Sequence, residues 1–151
     1  MKNKIKKLSD ERIKISKSDV KICSANKQTI VFSFEYFTEV NEFNFHYFDK
    51  QGTEGFRVYN SFIDKLTTIS QKTWEDMNNT CKRNGGTEKM TIGEFRDKFA
   101  NALKHVTKEE SVYVVRFYHD NCRLFFRRGK KCGRVAQLLA CEFEIGTAYK
   151  H

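Results

Sequence analysis

Between Arg123 and Arg134, six of twelve residues are basic (Arg123, Arg127, Arg128, Lys130, Lys131 and Arg134), and no acid interrupts them. A guanidinium grips phosphate through a two-pronged fork and stacks on bases, while a lysine supplies a compact positive charge. Aromatic residues fall among these cations. Tyr118 and Phe125 carry π faces on which unpaired bases can stack. Arg116 lies in the preceding apolar run, and the chain ends Gly146-Thr147-Ala148-Tyr149-Lys150-His151. A phenol and an imidazole near arginines could cleave RNA without a metal. One would activate the 2′-hydroxyl, the other protonate the leaving oxygen, and an arginine stabilise the charged phosphorane. Plainer roles are open to the same residues. Phe125 could pack beneath another segment, the arginines could wet a rim, and Tyr149 could anchor the terminus.

Placing these groups falls to the last third of the chain, which reads as three strands: 111–119, 122–128 and about 134–145. The first two are rich in β-branched and aromatic residues and flank Asp120-Asn121, a pair suited to a two-residue hairpin turn. That turn would oppose residues whose numbers sum to 241. One face would then carry Tyr113, Val115, Phe117, Leu124 and Phe126. The other would carry Arg116, Tyr118, Arg123, Phe125 and Arg127, an arginine–aromatic mosaic open to a ligand. Arg128-Gly129-Lys130-Lys131-Cys132-Gly133 must form a tight basic turn before the third strand.

Ahead of this sheet, 28–37 alternates as a strand, and Phe43, Phe45 and Tyr47 repeat the period of two, which predicts an N-terminal β-hairpin. The period then becomes helical. Phe56, Tyr59, Phe62, Ile63, Leu66 and Ile69 share one stripe, with a break at Ser70, where Ser70 could cap a new turn and Ile69 pack on Trp74. Residues 81–89 read as a loop. Thr91-Ile92-Gly93-Glu94 is a capping box, flanked by Met90 and Phe95, that opens a helix burying Phe95, Phe99, Ala102, Leu103 and Val106. The order β-β-α-α-α-β-β-β predicts an α+β fold: an antiparallel sheet, made of the hairpin and a three-stranded meander, with helices on one face. Residues 28–151 form one domain behind a basic N-terminal segment, 1–27.

The net charge of +9 is unevenly placed. Residues 1–27 hold nine Lys/Arg against three acids, 28–110 eleven against thirteen, and 111–151 eight against three. Positive ends favour a polyanion such as RNA, or an acidic host protein. The fourteen Phe could exceed what one core buries, leaving an aromatic patch for a partner. With neither a membrane-length apolar run nor an apolar signal-peptide core, the expected setting is cytoplasmic. The five cysteines lack a CxxC pair and read as free thiols. His119, Cys122, Cys132 and Cys141 could be written as zinc ligands, but their spacing matches no common zinc module. No cofactor is expected. The sequence shows no Ser-His-Asp grouping, paired catalytic carboxylates or HExxH, which argues against proteases, glycosidases and metalloenzymes.

Helices followed by a three-stranded antiparallel sheet, an Arg-bearing central strand and a terminal Tyr together resemble the RelE/ParE toxin superfamily over roughly 56–151. The matching residues are Val114-Val115-Arg116-Phe117, Cys122-Arg123-Leu124-Phe125-Phe126 and Tyr149-Lys150-His151. The resemblance implies a small basic protein that cuts RNA without a metal, with an antitoxin-type protein as partner; the chain is also similar to small phage and mobile-element proteins of unknown activity. By it, Arg116 and Arg123 would contact phosphate, and Tyr149 and His151 would supply acid–base chemistry with Arg123 in support. Glu142 and Glu144 would lie near the phosphate path and oppose binding.

Overall fold

A computed structural model describes residues 25–50, 52–81 and 85–149. The fold is α+β. Its strands are β1 (Val31–Ser33), β2 (Glu88–Met90), β3 (Val112–Phe117), β4 (Cys122–Arg128) and β5 (Val135–Glu142), and its helices α1 (Gly52–Ser70), α2 (Trp74–Asn79) and α3 (Asp97–Ala102). The sheet order is β1-β5-β4-β3-β2, with β1 parallel to β5 and every other pair antiparallel. The meander β3–β4–β5 forms as the alternation predicts.

The hairpin between β3 and β4 differs in detail. Tyr113 faces Phe126 and Phe117 faces Cys122, so opposed residues sum to 239. The turn takes in Tyr118, His119 and Asp120, at φ 49°, 53° and 66°. Such left-handed residues cost roughly 1 kcal/mol or more each. Docking helps hold them, because the Tyr118 amide donates to Ser61 Oγ at 3.0 Å and its hydroxyl donates to Glu54. A shift of two residues leaves the strand side chains on their expected faces, but Tyr118, drawn into the turn, packs on the α1 side instead of the arginine face.

The N-terminal hairpin does not form. Only Val31–Ser33 is strand, followed by the 3-10 turns Asn41–Phe43 and Phe45–Lys50. Short polar side chains divert this backbone. Thr38 Oγ1 accepts from the Val40 amide, and Asn44 accepts from the His46 amide and donates to the Thr38 carbonyl. The Thr38 amide is fastened to the Leu139 carbonyl at 2.8 Å, where β5 bulges against β4. The aromatic residues of this segment then serve both sides of the sheet. Phe43 packs on one side; Phe45, Tyr47 and Phe48 pack on the other.

The helices likewise occupy both faces rather than one. Val58, Phe62 and Ile69 of α1, with Trp74 and Met77 of α2, cover the side of Tyr113, Val115, Phe117, Leu124 and Phe126. Phe95, Phe99, Ala102 and Leu103 cover the opposite side, against Val112, Val114, Phe125 and Ala140. The break at Ser70 is where α1 ends, but α2 is capped by Thr73, which exchanges hydrogen bonds with Asp76, while Ser70 donates back to the Thr67 carbonyl. The Thr91–Glu94 box also forms, though it closes a 3-10 turn before α3 begins. Among the described residues no helix is long and apolar enough to cross a membrane.

Candidate nucleic-acid interface

Because both faces are covered, most of the arginine–aromatic mosaic is an interior layer and not an open surface: Arg123, Phe125 and Arg127 are buried and Arg116 is half-buried. Phe125, placed by sequence as a stacking platform, is wholly buried and meets Phe99 with ring centroids 4.5 Å apart. No base can reach it. Tyr118 belongs to the hairpin tip and packs with the α1 side, away from the arginines.

Arg123 lies across β4 from Arg116 on one side and Glu142 on the other. Its guanidinium pairs with Glu142, which is fully buried, and sits 4.3 Å from the centroid of the Tyr149 ring. Glu142 therefore answers Arg123 instead of obstructing a phosphate path. Its second oxygen accepts from the Gly146 and Ala148 amides at 3.0 and 2.8 Å, which folds the C-terminal segment back over the sheet. Arg96 completes the clasp: its amide donates to the Ala148 carbonyl and its Nε to the Tyr149 carbonyl, at 2.8 and 2.6 Å.

The terminus thus reaches the arginine face, but Tyr149 arrives there as a packed residue. Its ring packs against Phe95 and Phe125, and its hydroxyl is buried with no hydrogen-bond partner among the described residues. Burial drives its pKa well above the ordinary phenol value, with Arg123 pulling partly back. A proton donor or acceptor needs its reacting partner within hydrogen-bond reach, and this hydroxyl is enclosed. Lys150 and His151 lie outside the described residues, as does nearly all of the 1–27 segment.

Arg127 is also taken up internally. It donates to Gln137 at 2.8 Å, to the His105 carbonyl and to Glu110, and its guanidinium lies 4.7 Å from the Tyr36 ring centroid. Arg128 turns to the other side, donating to the Gly133 carbonyl at 2.6 Å and covering the Trp74 ring. Arg134 holds Thr29 through its carbonyl and hydroxyl.

What remains open is the turn from β4 to β5. The Gly129 amide donates to Val135 and the Val135 amide to Cys132, a closure so tight that a Cβ at Gly129 would stand 2.8 Å from the Cys132 carbonyl oxygen. Lys130 and Lys131 project from this turn into solvent. They border a surface cavity of about 350 Å³ shared with Ser33, Tyr36, Arg127 and Gln137, with Glu35 also on its wall. Lys130 reaches Glu110 at 2.7 Å. Burial pushes the Glu110 carboxyl up, but Lys130, the Thr107 amide and Arg127 outweigh it and hold the pKa below the usual range.

The cysteine–histidine grouping is not assembled. Cys122 and Cys141 are buried thiols; burial raises Cys122 to about 11 and Cys141 well above its ordinary value. Cys132 is exposed in the turn beyond the far end of β4 from Cys122. Among the described residues no three His, Cys, Asp or Glu side chains gather as metal ligands. Comparison with family models, curated proteins and solved structures finds no match to this chain.

Proposed function

We propose that this protein binds a polyanion of the nucleic-acid class, RNA foremost, through the turn between β4 and β5. The observation that supports this reading is the exposed pair Lys130 and Lys131, held out on a rigid tight turn beside the Arg127–Tyr36 stack. Arg128 and Arg134 stand at the two ends of the turn and add their charge to the same potential. Arg123 and Phe125 are not part of the contact surface, since both are buried in the sheet layer. Cleavage is not part of this proposal either, because the Tyr149 hydroxyl is enclosed beneath the C-terminal clasp.

The test is a salt titration with a labelled single-stranded RNA. Each neutralised phosphate contributes about 0.7 to the slope of log K against log salt on a single strand. Replacing both Lys130 and Lys131 with Ala should therefore lower the slope by roughly 1.4 and weaken binding on every sequence alike. No binding at low ionic strength, or an unchanged slope in the double variant, removes the reading.

A further inference from the structure

α1 carries two apolar stripes where its sequence suggests one. Val58, Phe62 and Ile69 point into the core, whereas Phe56, Tyr59 and Ile63 lie about 100° further round the helix and face solvent. Phe56 is 66% exposed, and Tyr59 and Ile63 are each 40% exposed. Phe34, 47% exposed, extends the strip through its ring contact with Phe45, which in turn meets Tyr59. Between Phe56 and Phe48 lies an apolar depression of about 320 Å³ floored by Gly52 and Gly55. Single exposed apolar residues are ordinary, but a contiguous aromatic strip on one helix shoulder marks a surface that something covers.

Charge says what kind of chain covers it. Residues 34–64, which carry the whole strip, hold six acids against Lys50 and Arg57; Glu42, Asp49 and Glu54 already face Lys98, His46 and Arg57, which leaves Glu35, Glu39 and Asp64 against Lys50 in a chain whose total is +9. The fitting occupant is basic and studded with aliphatic residues. Residues 1–24 have that composition: eight Lys/Arg against three acids, with Ile5, Leu8, Ile13, Ile15, Val20 and Ile22 among them. The described chain begins at Ala25, beside Gly133 at the basic-turn end of the sheet. The strip begins at Phe34, directly after β1, which runs parallel to β5 from that same end. An extended run of 24 residues spans up to about 80 Å, so reach is not limiting. A second copy fits less well, because two chains of +9 repel.

We propose that residues 1–24 dock in cis on the Phe34–Phe56–Tyr59–Ile63 strip, with lysines toward Asp64 and aliphatic side chains over the rings. This goes beyond polyanion binding and does not depend on it. Limited trypsin digestion of the full chain, freed of nucleic acid by nuclease, reads the contact directly, because eight cleavage sites fall within residues 1–24. Cleavage there should be about tenfold slower than in a synthetic peptide of the same 24 residues, as expected when proteolysis tracks the open fraction. Phe56→Asp and Ile63→Asp should abolish that protection at an unchanged melting temperature, and Asp64→Lys should reduce it. Cleavage as fast as in the free peptide, or protection that survives both Asp variants, overturns the proposal. So does protection that rises with protein concentration alongside a dimer in sedimentation, which would assign the strip to a second copy.

Discussion

Replacing Glu142 with Gln tests the account of the arginine layer most directly. Glutamine keeps an oxygen able to accept from the Gly146 and Ala148 amides, so the change isolates the charge that faces Arg123. Glu142 is fully buried and Arg123 is 8% exposed, which leaves the guanidinium little water to turn to once its counter-ion is gone. Removing one partner of such a pair costs about 3–5 kcal/mol, mostly through the stranded charge. For a chain of this length each kcal/mol shifts the melting temperature by about 2–4 °C, so Glu142→Gln should melt roughly 6–20 °C below the parent. Arg123→Met alone should cost less, since the carboxylate left behind keeps two amide donors and Met fills the same apolar space. The double variant should then recover much of the loss, with a coupling of roughly 1–3 kcal/mol in urea denaturation. A Glu142→Gln protein within about 1 kcal/mol of the parent, or single effects that add in the double variant, would refute the argument that this layer is held by its own counter-ion.

Three further outcomes follow from the same geometry. Tyr149→Phe removes a buried hydroxyl that has no partner among the described residues, so stability should hold or rise by up to about 1 kcal/mol, while Tyr149→Ala should cost about 3–5 kcal/mol in thermal unfolding. Brief alkylation at pH 8 followed by peptide mapping should label Cys81 and Cys132 and spare Cys122 and Cys141, whose burial holds both as thiols; labelling of Cys122 at the rate of Cys132 would contradict its place in the core. Glu110 has a folded pKa below its ordinary 4.5, so its contribution is present above that value and disappears as pH falls through the lowered one. Amide protection at 105–110 should therefore decline only below about pH 4.5, and Lys130→Ala, which raises the Glu110 pKa, should move the decline to higher pH.

Much of the fold was legible because period and capping chemistry act locally. The meander, the break after α1 and the box at Thr91–Glu94 all rest on residues a few positions apart. The N-terminal hairpin failed for an equally local reason. Thr38 and Asn44 bond their own backbone, and that competes with a ladder whatever the spacing of Phe43, Phe45 and Tyr47. The stripe on α1 was misread because a helix shoulder and a helix face differ by only about 100°, and hydrophobicity marks both. Which of the two is buried depends on how the 34–50 segment wraps the sheet, and that is set by long-range contacts.

The candidate site shows why charge on a strand is read outward by default and when that default fails. Period-two alternation sorts residues onto two faces but does not say that either face is wet. β4 is the third strand of five, so both of its faces were candidates for burial, and α3 covers the one that holds the arginines. The decisive signal was in the register. The tight turn at 129–134 opposes β4 and β5 residues whose numbers sum to 264, and the bulge at Leu139 raises that sum to 265, which sets Glu142 opposite Arg123. An acid at that one position, in a strand otherwise without charge, is a counter-ion to an inward arginine before it is an obstacle to phosphate. The +5 balance of 111–151 counts charges without saying which are already answered. Arg123 is answered by Glu142, and Arg127 by Glu110 and the His105 carbonyl, so the contact surface contracts from the whole mosaic to the turn, where Lys130 shares Glu110 from an exposed position and Lys131 projects into solvent.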